Sequence, residues 1–390
     1  MSPTVAFGMT LHNNARHLPE AIDSLLAQSD PDFGLLLLDD GSGDETPALM
    51  AAYAAQDRRV RVARHDTRQG MVETWRNAVA LALDLFPDAR YFAWASDHDR
   101  WHPDWLRRAR AELDAHPEAV LAYPQTRRID ERGALWAKQP KTFDTAGLCE
   151  VEARWLRFAG EAAGAGDLVY GLMRVDALRR AGIFRPVIQP DRLLMLELTI
   201  QGEFRQVADE LWFRRQGTSA SVVRQRTSLF TPANAPEGLW WPPRLQHARV
   251  LWRTYVRTAR PEVTTAMMRR LVRQYVLRDL WREYSKSTAV LHQLDNGREA
   301  LTRCVKEVRR AVWTAWYEGG MVFAAWRGRQ RRRGRQLVYD LAVFRRRIRA
   351  SMYEASMSAA KWPGLIRRGL KRAVHHALVF THRLGLRGRP

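Results

Sequence analysis

The chain has 390 residues, room for two domains, and carries 63 Lys and Arg against 42 Asp and Glu, a net of +21. That charge is uneven: residues 1–217 hold 27 basic and 32 acidic side chains, net −5, whereas residues 218–390 hold 36 and 10, net +26. The two halves are therefore expected to do different jobs, the basic one directed at a polyanion or an anionic membrane.

The two cysteines, Cys149 and Cys304, stand in no metal-type spacing, so a reducing compartment with both as buried thiols is expected. The opening MSPTVAFGMTLHNN lacks the pattern of a signal peptide. No uncharged apolar run reaches the roughly 18–20 residues that span a bilayer; the best is Gly319 to Trp326.

In chain order, Thr4 to Met9 reads as a strand ending in Thr10-Leu11-His12-Asn13-Asn14, and Leu18 to Gln28 as a helix with Leu18, Ile22, Leu25 and Leu26 at helical spacing. Phe33 to Leu38 suits a strand buried on both faces, and it ends in Asp39-Asp40-Gly41-Ser42-Gly43-Asp44-Glu45-Thr46. Thr46-Pro47 fits an N-cap followed by proline, opening a helix to about Gln56. Arg59 to Arg64 alternates Val60 and Val62 with arginine, a strand with one wet face. Gly70 to Leu83 reads as a helix with Trp75, Val79 and Leu83 on one side, and Tyr91 to Ala95 as a buried strand ending in Ser96-Asp97-His98-Asp99.

Pro103 to Ala115 is predicted helical, Ala119 to Ala122 a strand, Asp167 to Met173 another, Asp191 to Gln201 a helix, and Val207 to Arg215 the last strand. This alternation predicts an α/β fold with a doubly wound, mostly parallel sheet over residues 1–217. Thr231 to Pro243 is proline-rich, so 218–245 reads as a linker. Residues 246–390 read as helical only, with stripes such as Leu337, Leu341, Phe344, Ile348 and Met352.

Two acidic turns, Asp39-Asp40 and Asp97-His98-Asp99, each close an apolar strand, 58 residues apart. In a parallel sheet both lie along one carboxyl edge, where such sheets bind their ligands. Clustered carboxylates are costly unless a cation or sugar hydroxyls offset them, and a hard divalent ion shared with substrate phosphates is the usual solution. A plain strand-to-helix turn would also use Asp and Gly, so each turn alone says little. A dinucleotide fold is disfavoured: the third glycine position is Thr46, and Asp39, Asp40, Asp44 and Glu45 would repel a bare pyrophosphate.

These stretches, with LPEAIDSLLAQSDPDFGLLLLDDGSGDETP, RQGMVETWRNAVALA and YFAWASDHDRWHPDWL, resemble the family 2 glycosyltransferases of the GT-A fold, over roughly residues 4–217. The resemblance implies a nucleotide-diphosphate-sugar donor, with Leu11, His12, Asn13, Asp39, Asp40 and Asn77 around the nucleoside. It further implies Asp97 on the ribose side and Asp99 as the ligand of Mg²⁺ or Mn²⁺ at the diphosphate. Members of this family invert the anomeric centre in one displacement and need a carboxylate as general base. Asp191 fits that place, with Glu197 in reserve; a helix N-cap is the plain alternative for Asp191. The chain departs from the family at Thr10-Leu11-His12 and at Arg214-Arg215-Gln216, where a histidine metal ligand is usual. The Gln-x-x-Arg-Trp motif of processive synthases is absent, since Leu193 follows Arg192, which favours one sugar per visit.

The basic region, with eight Trp counted from Trp240, suits the anionic face of a bilayer; a helix bundle or nucleic acid would also use such stripes. The expectation is an enzyme of cell-surface glycan synthesis, peripheral at the cytoplasmic face of the membrane, acting on a glycan or lipid-linked acceptor. The contrasting expectation is a non-catalytic scaffold on the same fold whose tail binds membrane or nucleic acid. The retained set Asp39, Asp40, Asp97, Asp99 and Asp191 favours the enzyme.

Overall fold

The computed structural model describes residues 2–277 apart from 137–139, 162–164, 216–227, 237, 238, 240 and 259. Most of the expected basic helical region, Cys304 included, lies outside the described residues. Eight strands form one sheet in the order β3-β2-β1-β4-β7-β6-β8-β5. They are β1 (Val5–Leu11), β2 (Phe33–Asp39), β3 (Val60–Arg64), β4 (Tyr91–Ala95), β5 (Arg100–Trp101), β6 (Ala119–Ile129), β7 (Leu172–Arg174) and β8 (Glu203–Arg215). Strands β1 to β4 are mutually parallel, β7 runs antiparallel between β4 and β6, and β8 lies parallel to β6.

The apolar run of β2 is buried because the sheet is covered on both faces. Val5, Phe7, Met9, Leu35 and Leu37 face helices α1 (Leu18–Leu26), α2 (Thr46–Gln56) and α4 (Trp105–Ala115). Ala6, Leu36 and Leu38, one register step away, face α3 (Met71–Leu85). Alternate side chains of one strand thus belong to two different cores. Gly34 is a glycine because a Cβ there would stand 2.3 Å from the Phe86 ring.

Several local expectations are corrected. Asp167 to Met173 is not one strand: residues 165–168 form the short helix α6 (Ala165–Leu168), and β7 starts only at Leu172. Strand β6 runs on to Ile129, well past Ala122, because β8 pairs with it along its whole length through three register shifts. Thr46 is the first residue inside α2 rather than its cap, and its amide N–H donates to Asp44 Oδ1 at 3.0 Å. Val62 is exposed, since β3 is the sheet edge and only Val60 reaches the core. Cys149 is exposed rather than buried, lying just ahead of α5 (Val151–Glu161).

The residues after the sheet pack onto it. Leu229, Phe230, Leu251, Tyr255, Met268, Leu271 and Tyr275 join the core beneath α3, α7 (Val175–Ala181) and α8 (Pro190–Gln201). They come from a segment around 228–236, the helix Pro243–Leu251 with one π-helical turn after it, and a helix over 265–277. No helix among the described residues is long and apolar enough to cross a membrane.

Candidate active site at the carboxyl edge of the sheet

The central strand β1 has β2 on one side and β4 on the other, with Leu11 opposite Asp39 and Met9 opposite Ala95. Leu11 to Asn14, Asp39 to Ser42 and Asp97 to Asp99 therefore emerge at one edge, as their strand endings require.

The first wall is an interlocked turn. Leu11 C=O accepts the Asp40 amide at 2.8 Å, and His12 Nδ1 lies 3.0 Å from Asp40 O. Asn13 adopts a left-handed backbone, φ 52°, its amide donating to Ser42 Oγ at 2.9 Å while its Oδ1 accepts from Gly43 N–H at 2.9 Å. Asp39 is fully buried, accepting from the Ser42 amide at 3.0 Å and pairing with Arg64 Nε at 3.1 Å.

Asp40 reaches the other way. Its carboxylate accepts from Gln69 N–H at 2.7 Å, Gly70 N–H at 2.9 Å and His65 Nδ1 at 3.1 Å. Burial tends to raise its pKa, but these donors outweigh it and hold the pKa below the usual carboxylate range. Asn77 Nδ2 stands 3.3 Å from His65 Nε2, so Asn77, His65 and Asp40 form one chain of hydrogen bonds. His65 was not singled out in the sequence; its only signal is its place just past the end of β3.

Asp99 sits in the second turn with its carboxylate almost wholly buried. Oδ1 accepts the Arg215 amide at 2.8 Å, whereas Oδ2 is buried with no hydrogen-bond partner. Burial pushes the Asp99 pKa up against the opposing pull of His98 and Arg214. Asp97 Oδ1 lies 2.6 Å from His98 Nδ1, and Asn14 Nδ2 donates to Asp97 O at 3.4 Å, tying this turn to the end of β1.

A buried carboxylate oxygen left without a partner suits a hard divalent cation. No group of three or more His, Cys, Asp or Glu among the described residues converges on one point. The protein alone supplies one or two oxygens, and substrate phosphates and water would complete the shell.

Asp191 opens α8 and is reachable from outside. Burial of its surroundings raises its pKa. Gly166 brings α6 close to it: a Cβ there would meet Asp191 Oδ2 at 3.8 Å and Arg214 Nη1 at 3.5 Å. Arg214 donates to Gly166 O at 2.8 Å and to Asp167, which also accepts from Arg128 at 2.7 Å. Its guanidinium lies over Tyr170 and Trp212, 5.7 and 5.5 Å from the ring centroids. Arg214 bears electrostatically on both Asp99 and Asp191, so one cation serves the two halves of the site. Sequence reading treated Arg214 only as a missing-histidine motif and gave Asp167 and Tyr170 no role. Their convergence needs α6, β6 and β8 to meet.

Glu197, the reserve base, belongs elsewhere. It is fully buried in the body of α8, paired with Arg185 at 2.9 Å and accepting from Tyr255 Oη at 3.2 Å. Burial lifts its pKa to about 7 despite Arg185.

A model described as Glycosyl transferase family 2 matches residues 7–164. The protein CgeD of Bacillus subtilis is 29% identical over 137 residues, 34% of this chain and 32% of that protein. The succinoglycan biosynthesis protein ExoO of Rhizobium meliloti is 34% identical over 113 residues, 29% of this chain and 30% of that protein. The chain thus spans about a third of the length of these curated relatives. Residues 1–349 of Staphylococcus aureus TarS, solved with UDP-GlcNAc, match with 14% identity and a TM-score of 0.50, over 70% of this chain and 71% of that one. That likeness concerns the fold, which is of the GT-A kind.

Proposed function

From the premise that residues 7–164 form a family 2 glycosyl transferase domain, we propose that the protein transfers a single sugar from a nucleotide-diphosphate sugar to a hydroxyl, with inversion. The acceptor is proposed to be a glycan or lipid-linked molecule of the cell surface. Two relatives support that class by name, the succinoglycan biosynthesis protein and a PGL/p-HBAD biosynthesis glycosyltransferase of Mycobacterium bovis.

The observation that carries the reading is the pairing, along one sheet edge, of the orphaned Asp99 oxygen with Asp191 at the start of α8 and Arg214 beside both. Leu11 to Asn13 and the Asp39–Asp40 turn would form the nucleoside wall. Asp39 and Asp40 shape that wall rather than offer free oxygens, since both are engaged within the protein. Asn77 would act through His65 in the same way.

In the displacement the acceptor oxygen bonds to the anomeric carbon while the bond to the donor's diphosphate breaks and its electron pair leaves with the diphosphate. Asp191 accepts the acceptor's proton, and a burial-raised pKa makes it the stronger base for that step. Asp99 would hold Mg²⁺ or Mn²⁺ together with the donor's phosphates, supplying counter-charge to the leaving group, with Asp97 on the ribose side. Arg214, kept in place by Asp167, adds a fixed positive charge near the same phosphates. The basic residues beyond 277 are proposed to bring the enzyme to the anionic, cytoplasmic face of a membrane.

The test is a screen of nucleotide sugars for turnover with and without Mn²⁺, repeated with Asp191→Asn. Loss of kcat by about 10²–10⁴-fold with unchanged binding of UDP is expected for removal of a general base. Unaltered kcat in Asp191→Asn would remove it from the mechanism, and absence of any metal-dependent nucleotide binding would overturn the enzyme reading.

A further inference from the structure

The residue two before the first turn's acid, Gln189, has a left-handed backbone at φ 56° and ψ 55°. For a non-glycine residue this costs about 1–2 kcal/mol and persists only where its surroundings over-determine it. Those surroundings lie about sixty residues further along the chain. The Ile188 amide N–H donates to Gln246 Oε1 at 3.0 Å, and the Ile188 carbonyl lies 2.8 Å from His247 Nε2. Two consecutive side chains of the helix Pro243–Leu251 thus hold both peptide groups of the residue just before the strained one.

Both gripping side chains are themselves fixed. Gln246 Nε2 donates to Trp241 O at 2.9 Å and to Leu239 O at 3.2 Å. His247 is fully buried, with Nδ1 2.8 Å from Tyr275 Oη and its ring stacked on Tyr275 at an interplanar angle of 12°. Burial drives the His247 pKa down to about 3, so the imidazole is neutral at working pH. A carbonyl can only accept, so Nε2 carries the proton and Nδ1 accepts from the Tyr275 hydroxyl, a tautomer assigned from its partners. The body of α8, buried from Leu193 to Ile200, is held by its own core contacts, but the entry into its first turn is set by this grip.

We propose that Gln246 and His247 are positioning residues for the Asp191 carboxylate, setting the start of α8 through the two peptide groups of Ile188. The segment that reads as linker and tail in the sequence then completes the catalytic domain. The inference rests on Asp191 as the base. A misplacement of about 1 Å at a catalytic group can cost on the order of 10²-fold in rate.

The experiment uses the full chain with Gln246→Met, His247→Leu and His247→Gln, the last keeping an N–H that can reach the Ile188 carbonyl. Hydrogen exchange at residues 188–193, binding of UDP with Mn²⁺, and kcat and KM for the donor turned over fastest in the screen are measured together. Gln246→Met and His247→Leu are expected to speed exchange at 188–193 by about tenfold or more. They should also lower kcat by about 10- to 100-fold at unchanged UDP affinity and donor KM. His247→Gln should recover most of both losses. A purely structural role would lower thermal stability and leave kcat of the folded fraction intact, which overturns the proposal, as does unchanged exchange at 188–193. Should His247→Leu not fold, Gln246→Met decides on the same readouts. If Asp191→Asn keeps full turnover while the exchange effects appear, the fault lies in the choice of base and not in the grip.

Discussion

In Asp99→Asn, the carboxylate whose Oδ2 is buried without a partner becomes a neutral group of nearly the same shape. Its Oδ1 can still accept the Arg215 amide that now sits 2.8 Å away. What disappears is a buried charge that burial disfavours more than His98 and Arg214 favour it, as its raised pKa records. An unsatisfied buried polar atom costs about 1–3 kcal/mol, and more when charged. Because the amide –NH₂ remains without an acceptor, only part of this is recovered, on the order of 1 kcal/mol. That corresponds to a rise in Tm of about 2–4 °C for a domain of this size.

The gain has a definite pH dependence. A folded-state pKa above the unfolded value means that the wild-type contribution is most favourable below the ordinary carboxylate range. It declines as pH rises through the raised pKa, so the two proteins should diverge toward neutral pH and converge in acid. Thermal unfolding of both, without metal, from pH 4 to 8 measures this. The same variant, titrated with UDP and Mn²⁺ by calorimetry, should show no metal-dependent binding. A variant that is less stable at pH 7.5, or that binds UDP and Mn²⁺ as the parent does, refutes the argument that Asp99 is held ready for a cation.

Arg185→Met should cost about 3–5 kcal/mol, since it strands the fully buried Glu197, and urea unfolding measures it. Glu197 titrates near 7 when folded and near 4.5 otherwise, so its contribution to stability is full below about 4.5 and falls as pH rises toward 7. Glu197→Gln should flatten that part of the profile. Gly70→Ala forces φ 87° on a side chain whose Cβ would stand 3.1 Å from Leu229 O, so a loss of about 1–3 kcal/mol is expected. Because the Gly70 amide holds Asp40, weaker binding of UDP by calorimetry should accompany it. Changing Arg345, Arg346, Arg347 and Arg349 to Gln in the full chain should reduce co-sedimentation with phosphatidylserine vesicles; unchanged sedimentation would remove the membrane role from this stretch.

The left half of the sheet and its acidic edge were legible because their physics is local. A strand buried on both faces must be apolar throughout, as Leu35 to Leu38 are, and its ending places the next polar residues at the edge. Hence β2 and β4 begin where their apolar runs begin, and the two acidic turns meet beside β1. The other half was less legible. Leu168 to Tyr170 carry the apolar character of a strand, but Leu168 ends helix α6, which packs on α8, and Val169 and Tyr170 form the turn after it. The proline-rich look of Thr231 to Pro243 suggested a linker, yet Leu229 and Phe230 are core residues and Asn234 donates to Gln69 O.

From its order of residues alone the chain determined the α/β class, the parallel carboxyl edge and the acids that line it. These follow from periodicity and from where apolar runs stop. Tertiary structure alone decided which acids are satisfied and which are left wanting. Asp40 spends its oxygens on Gln69 and Gly70, Glu197 is locked to Arg185, and Asp99 keeps one buried oxygen without a partner. Hydrogen-bond satisfaction and burial depend on groups far apart in sequence, and no local pattern encodes them.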